Sequence, residues 1–251
     1  MGTAMIPLLL LLGLIVPALP AAAALAGSEP VTTNMTASPM NGPASLNPSG
    51  ETRVPATSSP AVAREPLILI LGDSLSAAYG IDHNDGWVKL LEERLREKAL
   101  PHRIINASIS GETTAGGRAR LPRLLAEHRP RLVLLELGAN DGLRGFGFGV
   151  LRDNLTAMVR QAHAAGSQVL IAGLRLPPNY GAAYTDGFQA VFREVATAEQ
   201  VPLIPDFLAG VPEDRKLMQA DDLHPNAMAQ PLILENVWPS LEAMLISDTG
   251  P

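Results

Sequence analysis

The chain contains no cysteine. That absence removes disulfides, thiolate metal sites, a cysteine nucleophile and lipid attachment through an N-terminal cysteine. A protein of 251 residues without cross-links must be held by its core, and 47% of its residues are hydrophobic, enough to build one. A basic surplus is missing too. Lys and Arg number 19 against 25 Asp and Glu, giving a formal net charge of −6. This excludes the basic footprint of a nucleic-acid binder. The charges are mixed along the chain, the pattern of an ordinary solvated surface. There is no Gly-x-Ser-x-Gly, so the nucleophile elbow of α/β-hydrolases is absent. There is no His-Glu-x-x-His and no Gly-x-x-x-x-Gly-Lys phosphate loop. No internal repeat is evident.

Ile6 to Leu19 is almost wholly apolar and runs into alanines ending Ala24-Leu25-Ala26 before Gly27. An apolar stretch followed by a small-x-small site reads as a secretory signal peptide over 1–26, although no Lys or Arg precedes it. The competing reading is an uncleaved membrane anchor; Pro17 and Pro20 interrupt the roughly 20 residues that a spanning helix needs. Residues 27–65 are rich in Pro, Ser, Thr, Ala, Asn and Gly and poor in large apolar side chains, which predicts a flexible linker. A folded domain is expected over 66–246 and a short tail over 247–251.

Within the domain, Leu67 to Leu71 is a short, continuously apolar run that ends in Gly72. Such a run suits a strand buried on both faces. Similar runs lie at 103–107, 131–137, 168–172 and 201–205. Helical periodicity falls between them: Trp87, Leu90, Leu91 and Leu95 share one face, as do Leu151, Leu155, Met158, Val159 and Ala162. Strands alternating with helices predict an α/β fold with a parallel sheet covered on both sides. Ligands then bind beyond the carboxyl ends of the strands.

The residues at those ends carry the chemistry. The first strand leads into Gly72-Asp73-Ser74, where Gly72 permits a tight turn and Ser74 is expected near a helix start. A helix N-terminus offers free N–H groups to an oxyanion, yet a simple helix cap fits the same tripeptide. The third strand leads to Asn140, a neutral donor able to face a developing negative charge or to make an Asx-turn. After the second strand, Gly111 could present a bare backbone N–H, or belong only to a flexible loop. Near the C-terminus, Asp221 precedes His224 by three residues. A carboxylate so placed can accept from one ring nitrogen and leave the other free as a base. The pair could also ligate a metal, but no further His/Asp cluster of ligand spacing supports that. The remaining histidines, His83, His102, His128 and His163, read as surface residues.

Taken in order, Gly72-Asp-Ser-Leu75, Gly111, Gly138-Ala-Asn-Asp141 and Asp221-x-x-His-Pro225 resemble the SGNH, or GDSL, hydrolase superfamily, and within it the exported bacterial acyl thioesterases and lysophospholipases. The segments 71–80, 106–113, 119–122, 136–145, 175–181 and 221–226 carry the likeness, which spans about 66–245. The resemblance implies a three-layer α/β/α flavodoxin-like sandwich of five parallel strands. It implies Ser74 as nucleophile, His224 as its base and Asp221 as the orienting acid. The Ser74 and Gly111 backbone N–H groups and the Asn140 side chain would form the oxyanion hole, with no metal and no cofactor. The run 142–147 matches the family's mobile loop near the acyl chain, so Leu143, Phe146 and Phe148 are expected to bind substrate.

The reading is a periplasmic or secreted hydrolase of small-molecule acyl esters and thioesters, with no nucleic-acid partner and no membrane span after signal cleavage. A carbohydrate acetyl esterase of the same superfamily would use the same motifs. A non-enzymatic exported binding module would not need every catalytic position filled. The small-x-small site predicts a mature chain that starts at or near Gly27. N-terminal sequencing of protein recovered from an exporting host checks this; a chain that still begins at Met1 in the membrane fraction points to the anchor.

Overall fold

The computed structural model describes residues 65–248. The signal-peptide and linker readings therefore fall on residues outside the described ones, apart from Glu65. Five strands form one sheet: β1 (Leu67–Gly72), β2 (Arg103–Asn106), β3 (Leu132–Glu136), β4 (Gln168–Ala172) and β5 (Leu203–Ile204). Their order is β2-β1-β3-β4-β5 and every pairing is parallel. Each apolar run expected to be a strand is one. Six helices connect and follow them: α1 (Trp87–Glu97), α2 (Thr114–His128), α3 (Ala139–Leu143), α4 (Phe148–Ala164), α5 (Ala182–Ala198) and α6 (Gln230–Asp248).

The strand order explains the layers. The chain steps one way from β1 to β2, then the other way through β3, β4 and β5. Because parallel crossovers are right-handed, the reversal puts α1 on one face and α2, α4 and α5 on the other. The packing agrees: α1 lies against α6, and α2, α4 and α5 lie side by side. This is the α/β/α sandwich the resemblance implied. β1 and β3 are central and buried at every position, so both carry near-continuous apolar sequence, interrupted only by Glu136 at the end of β3. The sheet and helices enclose one hydrophobic core. Trp87 and Leu91 of α1, Leu155 and Met158 of α4 and Phe188 and Phe192 of α5 are fully buried in it. Among the described residues, no helix is long and apolar enough to cross a membrane.

Two expectations fail locally. His102 is buried, not on the surface, because it sits where the chain turns into β2. It lies at the amino end of the sheet, away from the carboxyl-end cluster. Ser74 does not begin a regular helix. The chain after β1 makes irregular turns up to Gly80, in which the Ala77 N–H donates to the Asp73 carbonyl at 3.0 Å. Ala78 then adopts a left-handed φ of 55°, which stops helical propagation, and the first regular helix begins at Trp87. Ser74 thus has the free N–H groups of a single turn but no aligned helix dipole behind it.

Gly173 follows β4, and its packing fixes the wall that comes after it. A Cβ there would lie 2.8 Å from the carbonyl oxygens of Ile204 and Pro205, backbone atoms that cannot swing aside. Gly173→Ala should cost about 1–3 kcal/mol of stability, seen as a lower urea midpoint with an unchanged m-value. An unaltered midpoint would contradict the close approach.

Candidate active site

The strand order reverses between β1 and β3, and ligands collect at such a point in doubly wound sheets. Ser74 follows β1 there and Asn140 follows β3. His224 Nε2 lies 3.0 Å from Ser74 Oγ, and His224 Nδ1 lies 2.7 Å from Asp221 Oδ2. Asp221 Oδ1 accepts from the backbone N–H groups of Leu223 and His224, each at 3.0 Å. The bond to the His224 ring, followed by these backbone donors, lowers the Asp221 pKa to about 2. Asp221 is therefore ionised and can only accept, which places a proton on Nδ1 and leaves Nε2 to accept from the serine hydroxyl. The resemblance named these residues across 150 positions of sequence; the fold brings them into one continuous chain of hydrogen bonds.

Asn140 lies in the short helix α3, and its side chain makes no Asx-turn. Its Nδ2 donates to Asp73 Oδ2 at 3.0 Å, leaving the second amide hydrogen for the cleft. Gly111 has φ +79°, and its carbonyl accepts from Arg144 Nη2 at 3.0 Å. Ser74, Gly111, Asn140 and His224 all line one cleft of about 520 Å³. A network that sequence reasoning missed locks the two donor-bearing segments together. Buried Asp141, beside Asn140, accepts from the Thr114 backbone N–H at 2.8 Å and from its hydroxyl. Asn154 Nδ2 donates to Thr114 Oγ1 at 3.1 Å, and Arg118 donates to Asn154 Oδ1 at 3.1 Å. The start of α2, which follows Gly111, is thereby tied to α3.

Beneath the serine lie two more groups that were missed, the buried pair Asp73 and Glu136. Glu136 Oε2 accepts from the Ser76 hydroxyl at 2.7 Å and the Asp73 N–H at 3.3 Å. Burial, then the Asp73 charge, raises the Glu136 pKa well above the ordinary range. Burial also raises Asp73, to about 6, against the pull of the Leu75 N–H, the Asn140 amide and His224. Burial thus favours the protonated form of both acids. Gly72 reflects this crowding, since a Cβ there would lie 2.6 Å from Glu136 Oε2. A lone acid inside the apolar run 132–137 was the available signal.

The three residues expected to bind substrate separate. Leu143 lines the cleft, while Phe146 is exposed and lines no part of it. Phe148 is taken up by packing: its ring lies 5.1 Å from that of Tyr184 and covers Gly187, where a Cβ would be 2.6 Å away. The glycine-rich loop is also shorter than expected. Gly142 belongs to α3, under Leu176 and Phe188. The Tyr184 and Tyr180 hydroxyls donate to the Gly142 and Leu143 carbonyls at 3.0 and 3.2 Å, so the free link is only 144–147. The apolar wall comes instead from Leu174, Leu176, Pro177, Leu208 and Met218 together with Leu143.

Fold and site define a class: a doubly wound α/β hydrolase with a serine, histidine and aspartate converging at the switch point. The chain belongs to the GDSL-like lipase/acylhydrolase family, whose pattern matches residues 70–230, and it is an enzyme of ester-bond hydrolysis. It is 52% identical over 183 residues to Esterase TesA of Pseudomonas aeruginosa, covering 73% of this chain and 91% of that protein. It is 41% identical over 187 residues to thioesterase 1/protease 1/lysophospholipase L1 of Escherichia coli K12, covering 74% and 88% of the two chains. A crystal structure of TesA superposes with a TM-score of 0.70 at 51% identity, covering 70% of this chain and 98% of the other.

The buried acid gives a pH signature. The native state keeps a proton on Asp73 up to about pH 6, the unfolded chain only to about 3.8. The native state therefore binds more protons in that window, and its stability falls as pH rises through it. Asp73→Asn abolishes this slope. The melting temperature of the variant minus that of the wild type should grow between about pH 4 and about pH 6. A difference that is flat across the window would contradict the raised pKa.

Proposed function

We propose that the protein hydrolyses acyl esters and acyl thioesters, of the arylesterase, acyl-CoA thioesterase and lysophospholipase kind, through an acyl-enzyme on Ser74. The observation that carries this is the linked contact from Ser74 Oγ to His224 Nε2 at 3.0 Å and from His224 Nδ1 to Asp221 at 2.7 Å, at the edge of a cleft with an apolar wall. His224 takes the hydroxyl proton as Ser74 attacks the acyl carbon. The resulting oxyanion is met by the backbone N–H groups of Ser74 and Gly111 and by Asn140 Nδ2. His224 then passes its proton to the departing oxygen or sulfur, and the acyl-enzyme remains. A water, deprotonated by His224, attacks in the second half and frees the acid; the proton returns to Ser74. Asp73, ionised at neutral pH and close to His224, favours the imidazolium formed in both halves. Every proton moves among Ser74, His224, leaving group and water, so no cofactor enters the scheme. Export to the periplasm or medium is part of the proposal and rests on residues 1–26.

The apolar wall supports acyl chains longer than acetyl. Each buried methylene is worth about 0.8 kcal/mol, so four more carbons could raise kcat/KM by up to about two powers of ten. The test is kcat/KM for butyryl, octanoyl and palmitoyl thioesters below their micelle concentrations, alongside Ser74→Ala and Asn140→Ala. Ser74→Ala should lose turnover and fluorophosphonate labelling while staying folded. Asn140→Ala should lose roughly 10²–10³ in kcat with little change in KM. A steady fall from the shortest chain upward would instead favour a carbohydrate acetyl esterase, and an active Ser74→Ala would remove the nucleophile assignment.

A further inference from the structure

The mechanism leaves open what holds His224 against Ser74. The two residues come from opposite ends of the domain, and His224 sits on a loop with no sheet register to fix it. We infer that Gln219 is a positioning residue that clasps the serine turn to the histidine loop and sets the Nε2–Oγ contact. This rests on the proposed Ser74–His224–Asp221 reading.

Gln219 reaches both sides at once. Its Nε2 donates to the Tyr79 carbonyl at 2.7 Å, across 140 residues, and to the Pro225 carbonyl at 2.9 Å. Its backbone N–H donates to the His224 carbonyl at 2.7 Å. Both amide hydrogens are thus spent on carbonyls, one on each segment. An amide turned the other way would point its oxygen at two carbonyls, so the bonding fixes the orientation.

The serine turn is shaped to receive this side chain. Gly80 has φ +74°, and a Cβ there would lie 2.2 Å from Gln219 Oε1. Only a residue without a side chain leaves room for the amide to lie on the turn. The bond also seats Tyr79, whose ring centroid is 4.5 Å from that of His224. The imidazole is then bounded by Asp221 at Nδ1, Ser74 at Nε2 and the Tyr79 ring, tilted by 42° to it. The other loop bonds lie within it or run to the start of α6: the Asn226 N–H donates to the Leu217 carbonyl at 2.8 Å, Asn226 Nδ2 donates to the Lys216 and Met218 carbonyls at 2.7 and 3.1 Å, and Gln230 Nε2 donates to the Asn226 carbonyl at 3.2 Å. They keep the loop's shape and seat its end on α6, but none of them reaches the serine turn. Gln219 does.

Gln219→Met keeps the volume and removes both amide donors; Gln219→Glu keeps the shape and turns an acceptor toward two carbonyls. Displacing a reacting group by about an ångström can cost 10²-fold, so each variant should lose about 10- to 100-fold in kcat. KM should stay within about threefold, because neither change touches the apolar wall. The rate at which a neutral fluorophosphonate labels Ser74 should fall in proportion to kcat, whereas a variant that is only less stable would, while folded, keep both rates. Melting temperature and near-ultraviolet circular dichroism identify folded variants, and either folded variant decides. A folded variant with kcat and labelling within about threefold of wild type overturns the clasp, given the expected size of the effect. Failure of the wild type to label at Ser74 would instead overturn the triad reading on which the clasp rests.

Discussion

The parallel pairing of β1 with β3 is the contact on which the site depends. It sets Gly72 opposite Glu136, so the residues that leave the two strands, Ser74 and Asn140, emerge side by side. The strands need near-continuous apolar sequence because they are covered on both faces. The reversal of strand order at this pair opens the crevice above them. The β2 loop then closes in from one side and α3 from the other, fastened through Thr114 and Asp141.

The same pairing buries two carboxyl groups below Ser74, the proposed nucleophile. Such an arrangement is costly, since a charge removed from water must be compensated. Here the cost is limited by partners: Glu136 accepts from the Ser76 hydroxyl, and Asp73 accepts from the Leu75 N–H and the Asn140 amide. In return the Asn140 side chain is held in one orientation before substrate arrives. An oxyanion donor is effective when it needs no reorganisation at the moment of reaction. The local instability of the acid pair and the readiness of the donor are two sides of one interaction.

Catalytic geometry of this kind is assembled from pieces with different degrees of support. Ser74 and Asn140 stand on the sheet itself. Asp221 and His224 stand on a loop, and loops are positioned by whatever rigid scaffold they can reach. The loop reaches the serine turn through Gln219, so its anchoring rests on few hydrogen bonds. The apolar wall has a third origin: the segment after β4, with Leu174, Leu176 and Pro177, faces the end of α3.

The sequence by itself determined the strands and the α/β class, and its resemblance to a known family pointed to Ser74, Asp221 and His224. An apolar run bounded by Gly72 or Gly138 suits a buried strand, and the Asp-x-x-His spacing lets a carboxylate reach an imidazole. Those features are local, fixed by side-chain type and short spacing. It did not determine which residues touch the substrate. Phe146 and Phe148 look like acyl-chain contacts in a glycine-rich run, but α4 begins at Phe148 and turns that ring onto Tyr184. Nor did it mark Glu136, Thr114 or Gln219, because an acid in a strand, a threonine after a loop and a glutamine near a histidine acquire meaning only from partners 60, 27 and 140 residues away. Pairwise contacts between distant segments depend on strand order and loop closure, and those were decided by the packing of the whole domain.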